Sequence, residues 1–130
     1  MCRMVRERES ILVIDDDEMI RETIRFALEY EGYKVESAAN GQEGLEKLRS
    51  GEKPALILLD LMMPVLDGWE FWKTVQKTQE LCGIPIVVIT ASSTGIPELE
   101  TVPKPIDIKS LFKTVRRYFG DGLHESRVGH

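Results

Sequence analysis

The hydrophobic period of this chain switches back and forth, and that alternation constrains its fold more than any other feature. Ile11-Leu12-Val13-Ile14 is an unbroken apolar run that stops at Asp15-Asp16-Asp17. Such a run reads as a short strand buried on both faces. Ile20, Ile24, Ala27 and Leu28 follow at helical spacing with charges between them, which gives a helix one apolar face. Gly32 is a helix stop, and Val35 centres a weaker second strand. Asn40 caps a helix that carries Leu45 and Leu48 and ends at Gly51. Residues 55–59 form a third strand ending at Asp60. After a loop with Pro64 and Asp67-Gly68, a helix is predicted from about Trp69 to Gln79. Residues 84–89 form a fourth strand ending at Thr90, and 101–103 a fifth ending at Lys104. Asp107 caps a last helix with Ile108, Leu111, Val115 and Phe119 on one face.

Strands alternating with helices imply an α/β fold, a single doubly wound parallel sheet with helices on both faces. With 130 residues the chain suits one domain. That domain is expected over 10–119, between a flexible N-terminal segment (1–9) and a flexible C-terminal tail (120–130). Such sheets bind ligands beyond the carboxyl ends of their strands. The residues there are Asp15, Asp16, Asp60, Thr90 and Lys104, so one edge is predicted to gather them all.

Three carboxylates brought together repel, and a bound cation compensates. Oxygen ligands without His or Cys suit a hard ion, magnesium above all. Asp60, at the tip of the third strand, is the candidate nucleophile. Phosphoryl transfer to it needs positioning and neutralised charge: a metal, the Lys104 ammonium, the Thr90 hydroxyl and nearby backbone N–H groups. Each residue also has a plainer reading. Asp15 to Asp17 can be a helix cap cluster, Asp60 a turn residue, Thr90 a strand end and Lys104 a solvated charge. Their joint arrival at strand ends favours the site.

Composition removes other classes. The formal net charge of −5 gives no electrostatic footprint for nucleic acid or an anionic membrane. No stretch approaches the ~20 apolar residues of a membrane span, and the charged N-terminus is no signal peptide. The two cysteines, Cys2 and Cys82, form no CxxC; Cys82 is expected as a buried or incidental thiol, which fits a cytoplasmic protein. His124 and His130 belong to no metal or catalytic motif. Trp69, Phe71 and Trp72 read as helix packing before they read as a partner patch.

The stretches ILVIDDDE, LILLDLMMPVLDGWE and IPIVVITAS, with the pair Lys104-Pro105, make the chain resemble the receiver domain of two-component response regulators. The resemblance covers about 10–119. It implies a flavodoxin-like sheet of order 2-1-3-4-5. It implies Mg2+ held by Asp15, Asp16, Asp60 and the Met62 backbone carbonyl, with Asp60 as phosphoacceptor. Asp17 is not expected as a direct ligand. Thr90 would be the switch hydroxyl, the Ala91 amide and Lys104 would bind the phosphoryl group, and the Lys104–Pro105 bond would be cis. The implied partners are a histidine kinase or phosphotransfer protein and a downstream protein, with no direct nucleic acid binding and no membrane insertion.

Two departures stand side by side. Only 13 residues separate Thr90 from Lys104, close to the dozen or so that a parallel crossover needs. Gly95 and Pro97 within them oppose a helix, so the fourth of the family's five helices is predicted lost or cut to one turn. The family also carries an aromatic three residues before the lysine, where this chain has Thr101. An atypical output surface is therefore expected. The function read from the chain is a phosphoacceptor with no enzyme activity beyond its own phosphorylation and slow dephosphorylation. Two other readings stay open: a pseudo-receiver acting as a phosphorylation-independent scaffold, and an aspartyl-phosphate phosphatase. The latter places a second acid where Met62 stands.

Overall fold

The computed structural model describes residues 10–51, 53–63, 65–92 and 95–119. Expectations for 1–9, Pro64 and 120–130, with Cys2, His124 and His130, lie outside the described residues. Five parallel strands, β1 (Ser10–Ile14), β2 (Lys34–Ala38), β3 (Leu56–Asp60), β4 (Ile86–Thr90) and β5 (Glu100–Pro103), form one sheet. Their order is β2-β1-β3-β4-β5. Four helices accompany them: α1 (Glu18–Tyr30), α2 (Gly41–Ser50), α3 (Gly68–Lys77) and α4 (Ile108–Phe119).

Alternation within the strands divides the core in two. Ile11, Val13, Leu56, Leu58, Val87 and Ile89 meet Ile24 and Leu28 of α1 and Leu111 and Val115 of α4. Leu12, Ile14, Ile57, Leu59 and Ile86 meet Leu45 and Leu48 of α2 and Phe71 and Val75 of α3. Both faces of the sheet are thus covered, as unbroken apolar runs require. Each of the first three helices starts on a short polar side chain: Asp17, Asn40 and Asp67 accept from amides of the first turn. Gly32, at φ 101°, ends α1 in the left-handed region.

Among the described residues no helix joins β4 to β5. A single turn stands there, closed by the Leu99 N–H donating to the Ile96 carbonyl at 2.9 Å. Ile96 is buried against Leu61 and Val88, with Trp69, Trp72 and Leu99 packed beside it. The connection is therefore an apolar plug. Fully buried Phe71 and half-buried Trp69 and Trp72 are accounted for by packing. One expectation is corrected. Cys82 is half-buried in the turn after α3 and disulfide-bonded, not a free thiol. A cysteine outside the core stays accessible for pairing, which apolar enclosure would have prevented.

Candidate functional site

Pairing register brings the predicted residues to one edge. Ile14 lies opposite Leu59, Asp60 opposite Ile89, and Thr90 opposite Pro103. Asp15 follows β1, Asp60 ends β3, Thr90 ends β4, and Lys104 follows β5. The Lys104 N–H donates to the Thr90 carbonyl at 3.0 Å, which seats the lysine at the top of the sheet. The Lys104–Pro105 peptide is cis.

Asp15 and Asp60 are buried, while Asp16 is exposed. One carboxylate oxygen from each lies within 4.8 Å of the others. Lys104 Nζ stands 3.0 Å from Asp15 Oδ2 and 3.6 Å from Asp60 Oδ2. The other Asp60 oxygen, Oδ1, accepts from the Met62 amide at 3.2 Å. Burial, and then the Asp15 charge, push the Asp60 carboxyl up to about 6, against the Met62 amide and Lys104. Burial alone would lower the Lys104 ammonium, but the Asp15 and Asp60 carboxylates outweigh it and raise it. One cation among three acids leaves a negative surplus.

The donor set is all oxygen, and Asp15 Oδ2 is buried with an ion pair but no hydrogen bond. That combination fits a hard metal ion. Asp17 stands apart: its carboxylate accepts from the Met19 and Ile20 amides at 2.9 and 3.2 Å and so caps α1. Thr90 is buried, and its hydroxyl accepts from the Ser92 amide at 3.1 Å. Ala91 is exposed beside it. Gly68 fixes the floor: a Cβ there would lie 2.6 Å from the Asp60 carbonyl. Only glycine lets α3 start this close to the phosphoacceptor candidate.

Two contacts were not foreseen from sequence. The Met62 amide reaches Asp60, and Arg21 donates to the Asp15 carbonyl at 2.7 Å. A guanidinium six residues along looks like any charge on a polar helix face, so periodicity gives no sign of it.

The response regulator receiver domain matches residues 11–116. Among curated proteins, the transcriptional regulatory protein AfsQ1 of Streptomyces coelicolor is 34% identical over 90% of this chain and 54% of its own length. The response regulator MprA of Mycobacterium ulcerans is 38% identical over 82% of this chain and 48% of its own. The chain thus spans about half the length of these relatives. Among solved structures, the Vibrio cholerae chemotaxis protein CheY4 superposes with TM-score 0.79 at 29% identity, covering 86% of this chain and 99% of that one. Thermotoga maritima TrrA, solved in complex with Mg2+-BeF, gives 0.75 at 33% identity over 85% and 98%. The chain belongs to the family of response regulator receiver domains.

Proposed function

We propose that this domain takes a phosphoryl group onto Asp60 from the phosphohistidine of a histidine kinase or phosphotransfer protein. The observation that carries the reading is Asp60 held between Lys104, Asp15 and Asp16 at the strand ends. Mg2+ would be held by Asp15, Asp16, Asp60 and the Met62 carbonyl. When bound, it supplies charge neutralisation for the phosphoryl oxygens. The complex of TrrA with Mg2+-BeF supports that choice of metal.

The chain does the rest. An Asp60 oxygen attacks phosphorus, the new O–P bond forms as the donor's N–P bond breaks, and the electron pair leaves with the imidazole. Lys104 balances the phosphoryl charge, the Thr90 hydroxyl donates to one oxygen, and the Ala91 amide supplies a further donor. Turnover is limited to this event and slow self-dephosphorylation. Output passes to a downstream protein without direct nucleic acid binding by this domain. It uses an atypical face, since an Ile96-Leu99 plug stands where the family has a helix and Thr101 is exposed at the aromatic's position. That same observation favours the alternative, a pseudo-receiver serving as a constitutive scaffold.

Incubation with acetyl phosphate and Mg2+, followed by intact-mass measurement, is expected to add one phosphoryl group. Chelation or Asp60→Asn should remove it. A wild-type protein that binds Mg2+ and stays unlabelled contradicts the reading. Labelling that leaves hydrodynamic size and indole fluorescence unchanged favours the scaffold.

A further inference from the structure

Every polar group of Asp15 has a partner of a different kind. Its N–H donates to the Ala38 carbonyl at 3.1 Å. Its Oδ1 accepts from the Asp17 amide at 2.8 Å, and its Oδ2 faces Lys104 at 3.0 Å. The carbonyl lies one residue past β1, and half-buried Arg21 reaches back from α1 to meet it with NH1 at 2.7 Å. A charged donor at that distance forms one of the stronger hydrogen bonds in proteins. It fixes the peptide between Asp15 and Asp16, hence the directions in which both carboxylates leave the backbone.

We infer that Arg21 is a positioning residue for the acidic pair: it clamps the Asp15 carbonyl so that Asp15 and Asp16 meet Asp60 in a geometry that holds a divalent cation. This rests on the magnesium reading of the pocket. Two effects of Arg21 on a cation oppose each other. Its charge lies beside the acidic pocket and repels a second cation, so its removal on charge grounds alone strengthens binding. Its hydrogen bond pre-organises the ligands, so its removal on geometric grounds weakens binding. The sign of the change separates the two.

The test is calorimetric titration of the metal-free protein with MgCl2, with thermal unfolding of each variant alongside. Arg21→Ala is expected to weaken Mg2+ binding roughly tenfold, the scale of one lost charge-assisted hydrogen bond. Arg21→Lys keeps the charge but not the planar donor, and is expected to weaken binding severalfold. Arg25→Ala is the control. Arg25 pairs with Glu22 and Glu29 on the same helix, so its loss costs some helix stability but leaves Mg2+ affinity unchanged. Wild-type binding with equal or tighter binding by Arg21→Ala overturns the inference and spares the pocket. No Mg2+ binding by the wild type overturns both. Should Arg21→Ala fail to fold, Arg21→Lys decides: binding equal to the wild type overturns the clamp.

Discussion

Asp17 gives its carboxylate to the first-turn amides of α1, while its neighbours Asp15 and Asp16 face Asp60. Asp17→Ala is expected to cost about 1 kcal/mol of stability as a lost cap and to leave Mg2+ affinity unchanged. Asp16→Ala, at an exposed position, should do the reverse; urea unfolding and metal titration read the two separately. Asp60 ties charge to stability. Its folded carboxyl sits near 6 against an ordinary 3.8, so the folded state binds that proton more tightly than the unfolded chain does. The resulting stability is full below about pH 4 and is lost as pH rises through 6. At pH 7.5 without divalent cations, Asp60→Asn removes a charge that is costly to bury. It should raise stability by ~1–3 kcal/mol, an advantage that shrinks as the pH falls through 6 and the wild type protonates. Thermal unfolding at pH 7.5 and 5 checks this. Val65 has φ 72°, and its side chain is 81% exposed. A β-branched residue strains in that region and gains little burial there, so Val65→Asn should stabilise by ~1 kcal/mol.

Among the described residues, the β4–β5 connection holds a single turn where the family resemblance implies a helix. Ile96 is 1% exposed among Leu61, Val88 and the two indoles. Ile96→Ala should cost ~2–4 kcal/mol and shift the emission of Trp69 and Trp72. Glu98→Ala, at an exposed position in the same turn, should stay within about 0.5 kcal/mol. Loss of the helix was legible because Gly95 and Pro97 interrupt a crossover already near its minimum length. The plug was not, since one isoleucine and one leucine carry no period. Strands β1, β3 and β4 were legible to within a residue or two because both of their faces are buried. The start of β5 was legible to within one residue as well, and the residue missed is Glu100: it is polar, yet it pairs with Val87 in the ladder while its carboxylate accepts from Tyr118 at 3.0 Å and meets Arg117. Tertiary partners thus placed a polar residue in a strand, a circumstance local sequence does not encode.

Across the whole molecule, the sheet carries the site and the helices hold the sheet. The topology is legible because it follows from alternating period and right-handed crossovers. The convergence of Asp15, Asp16, Asp60 and Lys104 follows from strand ends. What the sequence hides is the fine allocation within that edge: which acid caps, which faces the lysine, and which guanidinium braces the pair. If the pocket holds Mg2+, the cation stabilises only the folded state, by ~1.4 kcal/mol at about ten times its dissociation constant. Asp60→Asn should blunt that gain in thermal unfolding with and without MgCl2. The most direct test of the central claim is to locate the phosphoryl group chemically. Protein treated with acetyl phosphate and Mg2+ is reduced with borohydride, which converts an aspartyl phosphate to homoserine, and peptides are sequenced by mass. The account predicts homoserine at position 60 alone, absent without Mg2+. Homoserine at another aspartate, or none in protein shown to bind Mg2+, would contradict it.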